Sequence, residues 1–160
     1  MIRPATPDDT AAIVALIRAL ADYERLAHAV DLDDGRLREH LFGPRPFAEV
    51  LMAEDAGQVV GFALFFHSYS TFLGRPGLYL EDIFVRPDHR GRGHGKALLV
   101  AIARLAVERG CGRVEWSVLN WNEPSIAFYQ SLGAVPLDDW TTYRLSGEAL
   151  AALGDGGRAS

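Results

Sequence analysis

Apolar residues recur at helical spacing in the first part of this chain. Those between Ile13 and Leu20 fall on one helical face. Residues 6–9, Thr-Pro-Asp-Asp, are typical of a helix start, because a capping hydroxyl, an early proline and acidic side chains suit the free amides there. The pattern predicts one helix as far as about Leu26 and a shorter one over residues 33–41.

The rest of the chain alternates between strand and helix patterns. Phe47–Glu54 and Gln58–Tyr69 predict a hairpin that turns at Asp55-Ala56-Gly57. The elements that follow are a strand at Leu78–Val85, a helix from Gly95 to Arg109, a strand at Arg113–Leu119, a helix at Glu123–Leu132 and a strand at Thr141–Leu145. A crossover helix joins parallel strands, so we predict an α/β (α+β) fold with a mixed, mainly antiparallel sheet and a parallel central pair.

Composition and charge narrow the possible functions. The 160 residues suit a single domain, which we place at residues 1–153, with residues 154–160 as a flexible tail. Sixteen Lys and Arg against 21 Asp and Glu give a net charge of -5, which argues against nucleic acid or a membrane as partner and favours a cation. One cysteine, no signal-peptide pattern and no long apolar run predict a cytoplasmic protein.

A glycine-rich segment lies between a predicted strand and a predicted helix. It reads Arg90-Gly91-Arg92-Gly93-His94-Gly95-Lys96. Free amides at a helix start, together with three cations, favour a phosphate or pyrophosphate, and the alternative is an ordinary flexible turn. The spacing excludes a Walker loop, since Ala97 follows the lysine, and it excludes the dinucleotide fingerprint, whose third glycine would fall at Lys96.

This loop, preceded by Leu-Tyr-Leu-Glu-Asp-Ile-Phe-Val at residues 78–85, resembles the coenzyme A pyrophosphate loop of the GNAT superfamily of N-acetyltransferases. Residues 2–6, 20–24, 78–85 and 121–129 look like the diamine (spermidine/spermine) and thialysine acetyltransferase subgroup. The resemblance implies a GNAT-type sheet of about six to seven strands with about four helices, acetyl-CoA as cosubstrate, and a homodimer.

Two sets of polar residues are candidates for chemistry. Glu81 and Asp82 interrupt an apolar strand, and neighbouring strand residues face opposite sides unless a bulge intervenes, so a solvated edge remains an alternative. Asn122, Ser125 and Tyr129 share one helix face, where Tyr129 is either a ligand contact or a core aromatic residue.

The resemblance implies a role for each candidate residue. Glu81 deprotonates the amine, through water, and Tyr129 protonates the departing thiolate. Tyr23, Glu24, Glu81 and Asp82 bind the cationic substrate. The coenzyme is bound by Ile83, Phe84 and Val85, by Arg90, Gly91, Arg92, Gly93, His94, Gly95 and Lys96, and by Asn122, Glu123, Pro124, Ser125 and Tyr129.

We therefore predict an acetyl-CoA-dependent N-acetyltransferase that acts on a primary amine of a small cationic substrate, diamine/polyamine or thialysine-like. The sequence departs from the diamine pattern near Trp140, where Thr141-Thr142-Tyr143 follows. An acetyltransferase of another amine class, such as protein N-termini or an antibiotic, and a non-catalytic coenzyme A binding module are the alternatives. The five histidines show no metal-ligand spacing, so we predict no metal site.

Overall fold

The computed structural model describes residues 1–156, and residues 157–160 of the predicted tail lie outside the described part. The chain forms two compact units, Met1–Leu119 and a second one from Asn120 onward. None of the helices within residues 1–156 is both long enough and apolar enough to cross a bilayer.

A mixed sheet forms the centre of the first unit. Its strands are β1 (Ile2–Pro4), β2 (Glu49–Asp55), β3 (Gln58–Ser70), β4 (Arg75–Val85) and β5 (Val114–Trp116), in the order β1-β2-β3-β4-β5. The first four are antiparallel neighbours, and β5 is parallel to β4. The predicted hairpin turn is confirmed, because Ala56 and Gly57 both have positive φ, as a tight hairpin turn requires.

Three helices accompany this sheet: α1 (Thr10–Tyr23), α2 (Asp34–Phe42) and α3 (His94–Glu108). The helix-start sequence at residues 6–9 forms a 3-10 turn with a capping box. In this box Asp9 Oδ2 accepts a hydrogen bond from the Thr6 amide at 2.7 Å. The first helix ends three residues before Leu26, because Arg25 takes a left-handed conformation with φ of 60° and leaves the helical path.

The core follows the apolar positions of these elements. Its largest fully buried side chains are Phe62, Phe65, Ile13, Leu16, Met52, Leu78, Leu80, Leu98, Ile102 and Val60. On one face, α1 and α2 pack against β2 and β3 and against Phe84 of β4. This packing fixes the last turn of α1 close to the end of β4, which is where the candidate site lies.

The second unit contains α4 (Glu123–Ser131) and α5 (Gly147–Gly154) within the described residues. The strand predicted at Thr141–Leu145 is wrong for this structure, since these residues form no ladder and Tyr143 is 92% exposed. A strand needs a neighbouring strand to hydrogen-bond its amides and carbonyls, and a strand-like sequence alone does not supply that neighbour.

The predicted fold class is confirmed, but the numbers of strands and helices differ from the prediction. Residues 1–156 contain five strands and five α-helices, in place of about six to seven strands and about four helices. The parallel pair lies at one end of the sheet because no strand from residues 141–145 extends it beyond β5.

Candidate active site

A β-bulge places two adjacent carboxylates at the candidate site. Leu64 of β3 pairs with Asp82, and the next residue, Phe65, pairs with Leu80, so Glu81 has no partner in the β3–β4 ladder. A bulge of this kind shifts the alternation of side chains and re-aims those around it. The structure therefore meets the condition under which Glu81 and Asp82 can face one pocket.

Asp82 is the carboxyl of this pair that the protein perturbs strongly. Burial raises its pKa from 3.8 to about 7, and the negative charges of Glu81 and Glu24 add to the shift. Glu24, the residue after α1, is half-buried, and burial raises its pKa as well. The charges of Glu24 and Glu81 thus act on Asp82, which disfavours ionisation of Asp82 and favours a bound cation.

Beyond the bulge, β4 separates from its parallel neighbour. The parallel ladder joins β5 only to Leu78–Leu80, so residues 81–85 have no strand partner on that side within the described chain. The Arg86 amide donates to Val60 O on the β3 side, and backbone groups alternate along a strand. The amides of Ile83 and Val85 therefore point to the open edge, while the Phe84 side chain is buried against α1.

The glycine loop follows β4 directly and leads into α3. Gly91 and Gly93 have φ of 77° and 85°, in the left-handed region that favours glycine, and Gly93 is the N-cap of α3. A Cβ built on either glycine meets nothing within 4 Å. The first-turn amides of His94, Gly95 and Lys96 have no acceptor inside the helix, so this open space suits an anion.

The cations of the loop have different partners. Arg92 Nη1 donates to Asp55 Oδ2 at 3.0 Å, and His94 Nε2 lies 3.4 Å from the same oxygen. Hydrogen bonds from Arg92 and then His94 hold the pKa of Asp55 below its ordinary value. Lys96 is exposed on the first turn of α3.

Arg90 turns toward the end of α1. Its Nε donates to Val85 O at 2.9 Å, and its guanidinium carbon lies 4.5 Å from the centroid of the Tyr23 ring. Tyr23 in turn lies 6.4 Å from Phe84, measured between ring centroids. The predicted substrate residues of α1 and the predicted loop are therefore connected through one side chain.

The remaining predicted site residues lie in the second unit. Asn122 is buried and caps α4, where its Oδ1 accepts from the Ser125 amide at 3.4 Å. Glu123 and Pro124 form the first turn of the helix, and Tyr129 lies two turns along it, half-buried beside Phe128 with 5.7 Å between ring centroids. Positions 122, 125 and 129 share a face of this region, as their spacing predicts.

Sequence reasoning did not identify two of these features. Asp55 was predicted only as part of a hairpin turn, yet it anchors two loop side chains that follow it by 37 and 39 residues. Arg90 was predicted as an anion ligand like Arg92, whereas its side chain lies against an aromatic ring. Neither contact has a local sequence signal, because each joins distant parts of the chain. Among the described residues, no cluster of metal-ligating side chains is present.

A mixed sheet whose parallel pair separates before a glycine loop and a helix is the architecture expected from the sequence resemblance to N-acetyltransferases. The chain belongs to the Acetyltransferase (GNAT) family, which matches residues 13–134. Members of this family generally use acetyl-CoA.

Individual relatives agree with this assignment. The chain is 40% identical to the thialysine N-epsilon-acetyltransferase of Bos taurus, over 96% of both sequences. It is 36% identical to the L-ornithine N5-acetyltransferase NATA1 of Arabidopsis thaliana, over 95% of this chain and 86% of that protein. An integron cassette protein from the mobile metagenome of V. cholerae has a similar solved structure, with a TM-score of 0.81, 25% identity and 96% coverage of both chains.

Proposed function

We propose that this enzyme transfers the acetyl group of acetyl-CoA to a primary amine of a small cationic molecule, a diamine, polyamine or thialysine-like substrate. The observation that carries this proposal is the group of carboxylates formed by Glu24, Glu81 and Asp82. The influences that raise the pKa of Asp82 are burial and the other two carboxylates. A bound ammonium or diammonium relieves this repulsion, so the charge of the site matches the charge of the substrate.

The relatives support the same substrate class. Their names specify the side-chain amines of thialysine and ornithine, both of which are small cationic molecules. The acidic balance of this chain, with a net charge of -5, is consistent with such substrates. We extend this substrate class to the present enzyme as a proposal.

The residues present fit acetyl-CoA, which supplies the acetyl group as a thioester. In our proposal, Ile83, Phe84 and Val85 bind the pantetheine arm as an added strand, through the open-edge backbone groups of Ile83 and Val85. The loop glycines Gly91, Gly93 and Gly95 and the first turn of α3 hold the pyrophosphate, with charge from Arg92, His94 and Lys96. Asn122, Glu123, Pro124 and Ser125 contribute the contacts to the arm that the family resemblance assigns to them.

The amine must lose a proton before it can attack. An alkyl amine has a pKa near 10, so it is mostly protonated at neutral pH. Glu81, exposed at the bulge, accepts that proton through water, and the partly buried Asp82 holds the ammonium before transfer. The free amine nitrogen then attacks the thioester carbonyl carbon, so that the new C–N bond forms and the C–S bond breaks. Tyr129 donates its hydroxyl proton to the departing thiolate sulfur, and the second proton, which the acylated nitrogen releases, restores the tyrosine hydroxyl through solvent.

We also propose that the enzyme works in the cytoplasm as a homodimer. The second unit leaves large apolar side chains uncovered in the single chain: Val135, Leu137, Trp140, Tyr143 and Leu145 are each 47–92% exposed. In our proposal, a second copy of the chain covers these side chains. Light scattering after size exclusion tests this, and a monomer at micromolar concentration would contradict it.

The substrate class is tested by a free-thiol release assay with acetyl-CoA and a panel of amines. The panel contains diamines, polyamines, lysine, ornithine, thialysine, an aminoglycoside and a peptide with a free N-terminus. We expect turnover with the small diamines, polyamines or thialysine. Turnover with only the aminoglycoside or the peptide would contradict the substrate class while leaving the acetyltransferase assignment intact. Coenzyme A binding without thiol release from any amine would favour a binding module.

A further inference from the structure

Arg90 belongs to the glycine loop in sequence but to the amine site in its contacts. Its Nε donates to Val85 O at 2.9 Å, on the edge of β4 that no strand covers in the described chain. Its guanidinium carbon lies 4.5 Å from the Tyr23 centroid and 5.4 Å from the Phe84 centroid. One side chain of the loop therefore contacts both the last residue of α1 and the end of β4.

The contacts require a guanidinium and not merely a positive charge. A planar guanidinium can stack on an aromatic ring while its Nε donates a hydrogen bond in the same plane, whereas the ammonium of lysine is a compact, strongly hydrated point charge. Arg92, the next cation of the loop, is 57% exposed at its side chain and pairs with the carboxylate of Asp55. The two arginines thus have different partners although they are two residues apart.

The position of the Tyr23 ring affects the adjacent carboxylate. Glu24 follows Tyr23 directly and is one of the groups that raise the pKa of Asp82. The guanidinium covers one side of the Tyr23 ring, and Phe84 packs nearby. Displacement of the end of α1, which carries this ring, would therefore move Glu24 relative to the bulge of β4.

We propose that Arg90 is a positioning residue for the amine substrate: it fixes the Tyr23–Glu24 end of α1 against the end of β4 and thereby orients the carboxylates that bind the amine. This inference deepens the proposed function and rests on it. The two neighbouring cations then have different roles. Arg90 acts on amine binding through Tyr23, and Arg92 supplies positive charge to the proposed pyrophosphate site.

The test compares Arg90→Lys and Arg90→Met in the full chain. We expect each to raise the KM for the amine about fivefold, the size of one exposed cation–π contact together with a hydrogen bond, and to change the Kd for coenzyme A by less than about twofold. The amine is whichever member of the panel the wild type acetylates best, and calorimetric titration gives the coenzyme affinity. An amine KM in Arg90→Lys equal to that of the wild type would overturn the proposal. So would a coenzyme Kd that rises in Arg90→Met but not in Arg90→Lys, because the positive charge of residue 90 would then act on the coenzyme.

A double-variant cycle separates positioning from a general loss of structure. Tyr23→Leu removes the ring, so Arg90→Lys added to Tyr23→Leu should raise the amine KM no further, and additive effects would overturn the proposal. Arg109→Lys is a matched control, because Arg109 also lies over a ring, 5.9 Å from the Phe65 centroid, and pairs with Glu49, but these contacts involve neither Tyr23 nor Val85. It should lower the melting temperature without raising the amine KM.

The proposed function has its own, separate outcome. A wild type that acetylates no small cationic amine contradicts the substrate class. An unchanged amine KM in Arg90→Lys, measured with an amine that the wild type does acetylate, overturns only the role of Arg90.

Discussion

Asp82 pairs with Leu64 across the β3–β4 ladder, while Glu81, its neighbour in β4, pairs with no residue of β3. This one-residue irregularity turns a strand whose carboxylates would alternate between faces into a segment that presents both near Glu24. The consequence is an acidic site with an unusually basic carboxyl group, and this site can be tested through its pH dependence.

Asp82→Asn should make the protein more stable at alkaline pH. With a pKa of about 7 in the fold and an ordinary value of 3.8, Asp82 keeps a proton between about pH 4 and pH 7 that the unfolded chain has released. Ionisation of Asp82 therefore lowers the stability of the wild type as the pH rises through this interval, and the variant lacks this contribution. We expect a gain in the free energy of unfolding of about 1–3 kcal/mol at pH 8 and none at pH 4, measured by urea denaturation.

The control for this prediction is Asp22→Asn, an exposed position of α1, which should follow the wild type at every pH. Parallel stability curves for the wild type and Asp82→Asn would show that burial does not perturb Asp82.

Gly93→Val should abolish coenzyme A binding without unfolding the protein. The left-handed φ of 85° makes a side chain costly by about 1–2 kcal/mol, but a Cβ there meets nothing within 4 Å. The valine would occupy the open space over the loop where we propose the pyrophosphate, so the Kd should rise by about 100-fold or more. Calorimetric titration measures this change, and circular dichroism reports on the fold.

Gly74→Val is the matched control, since Gly74 also has a positive φ, 62°, and open space around its Cβ, but lies in the β3–β4 turn. It should carry the same backbone strain and leave coenzyme affinity unchanged. Wild-type affinity in Gly93→Val would remove the loop from the proposed mechanism.

Tyr129→Phe should reduce turnover while sparing binding. The change keeps the ring beside Phe128 and deletes only the hydroxyl proton that we propose for the thiolate. We expect kcat to fall by about 10²–10⁴-fold, with coenzyme Kd within about twofold, when chemistry limits the rate. Rapid-quench measurement of a single turnover isolates the chemical step, and an unchanged single-turnover rate would show that the residue only packs.

Glu24→Gln should raise the KM for a diamine more than for a monoamine of the same length. Glu24 is half-buried next to the other two carboxylates, so the variant would remove a charged partner of the distal ammonium of a diamine. We expect this loss to weaken diamine binding by about 1–3 kcal/mol, and by less where solvent reaches the ion pair. Steady-state kinetics with matched amines measures the ratio. Glu39→Gln, on the exposed surface of α2, should change neither KM; equal losses for both amines would argue against a distal contact with Glu24.

Local patterns predicted much of the fold. The helical stripe before Leu20, the Asp55-Ala56-Gly57 turn and the helix after Gly93 all form as expected, because each depends on contacts within a few residues. The strand predicted at residues 141–145 does not form in the single chain, although its alternation is strand-like. A strand needs a hydrogen-bonding partner elsewhere, and its own sequence does not specify one.

The same division applies to the candidate site. The residue types available to the site follow from the sequence alone: the glycines that permit the left-handed conformation at 91 and 93, the cations around them, and the acidic pair in an apolar strand. Three further features are visible only in the folded chain: β4 bulges at Glu81, Asp55 accepts a hydrogen bond from Arg92, and Arg90 lies over Tyr23. Strand register and long-range packing set these relationships, since they join residues separated by up to 67 positions along the chain, as Tyr23 and Arg90 are, and such pairings leave no periodic signal in the sequence.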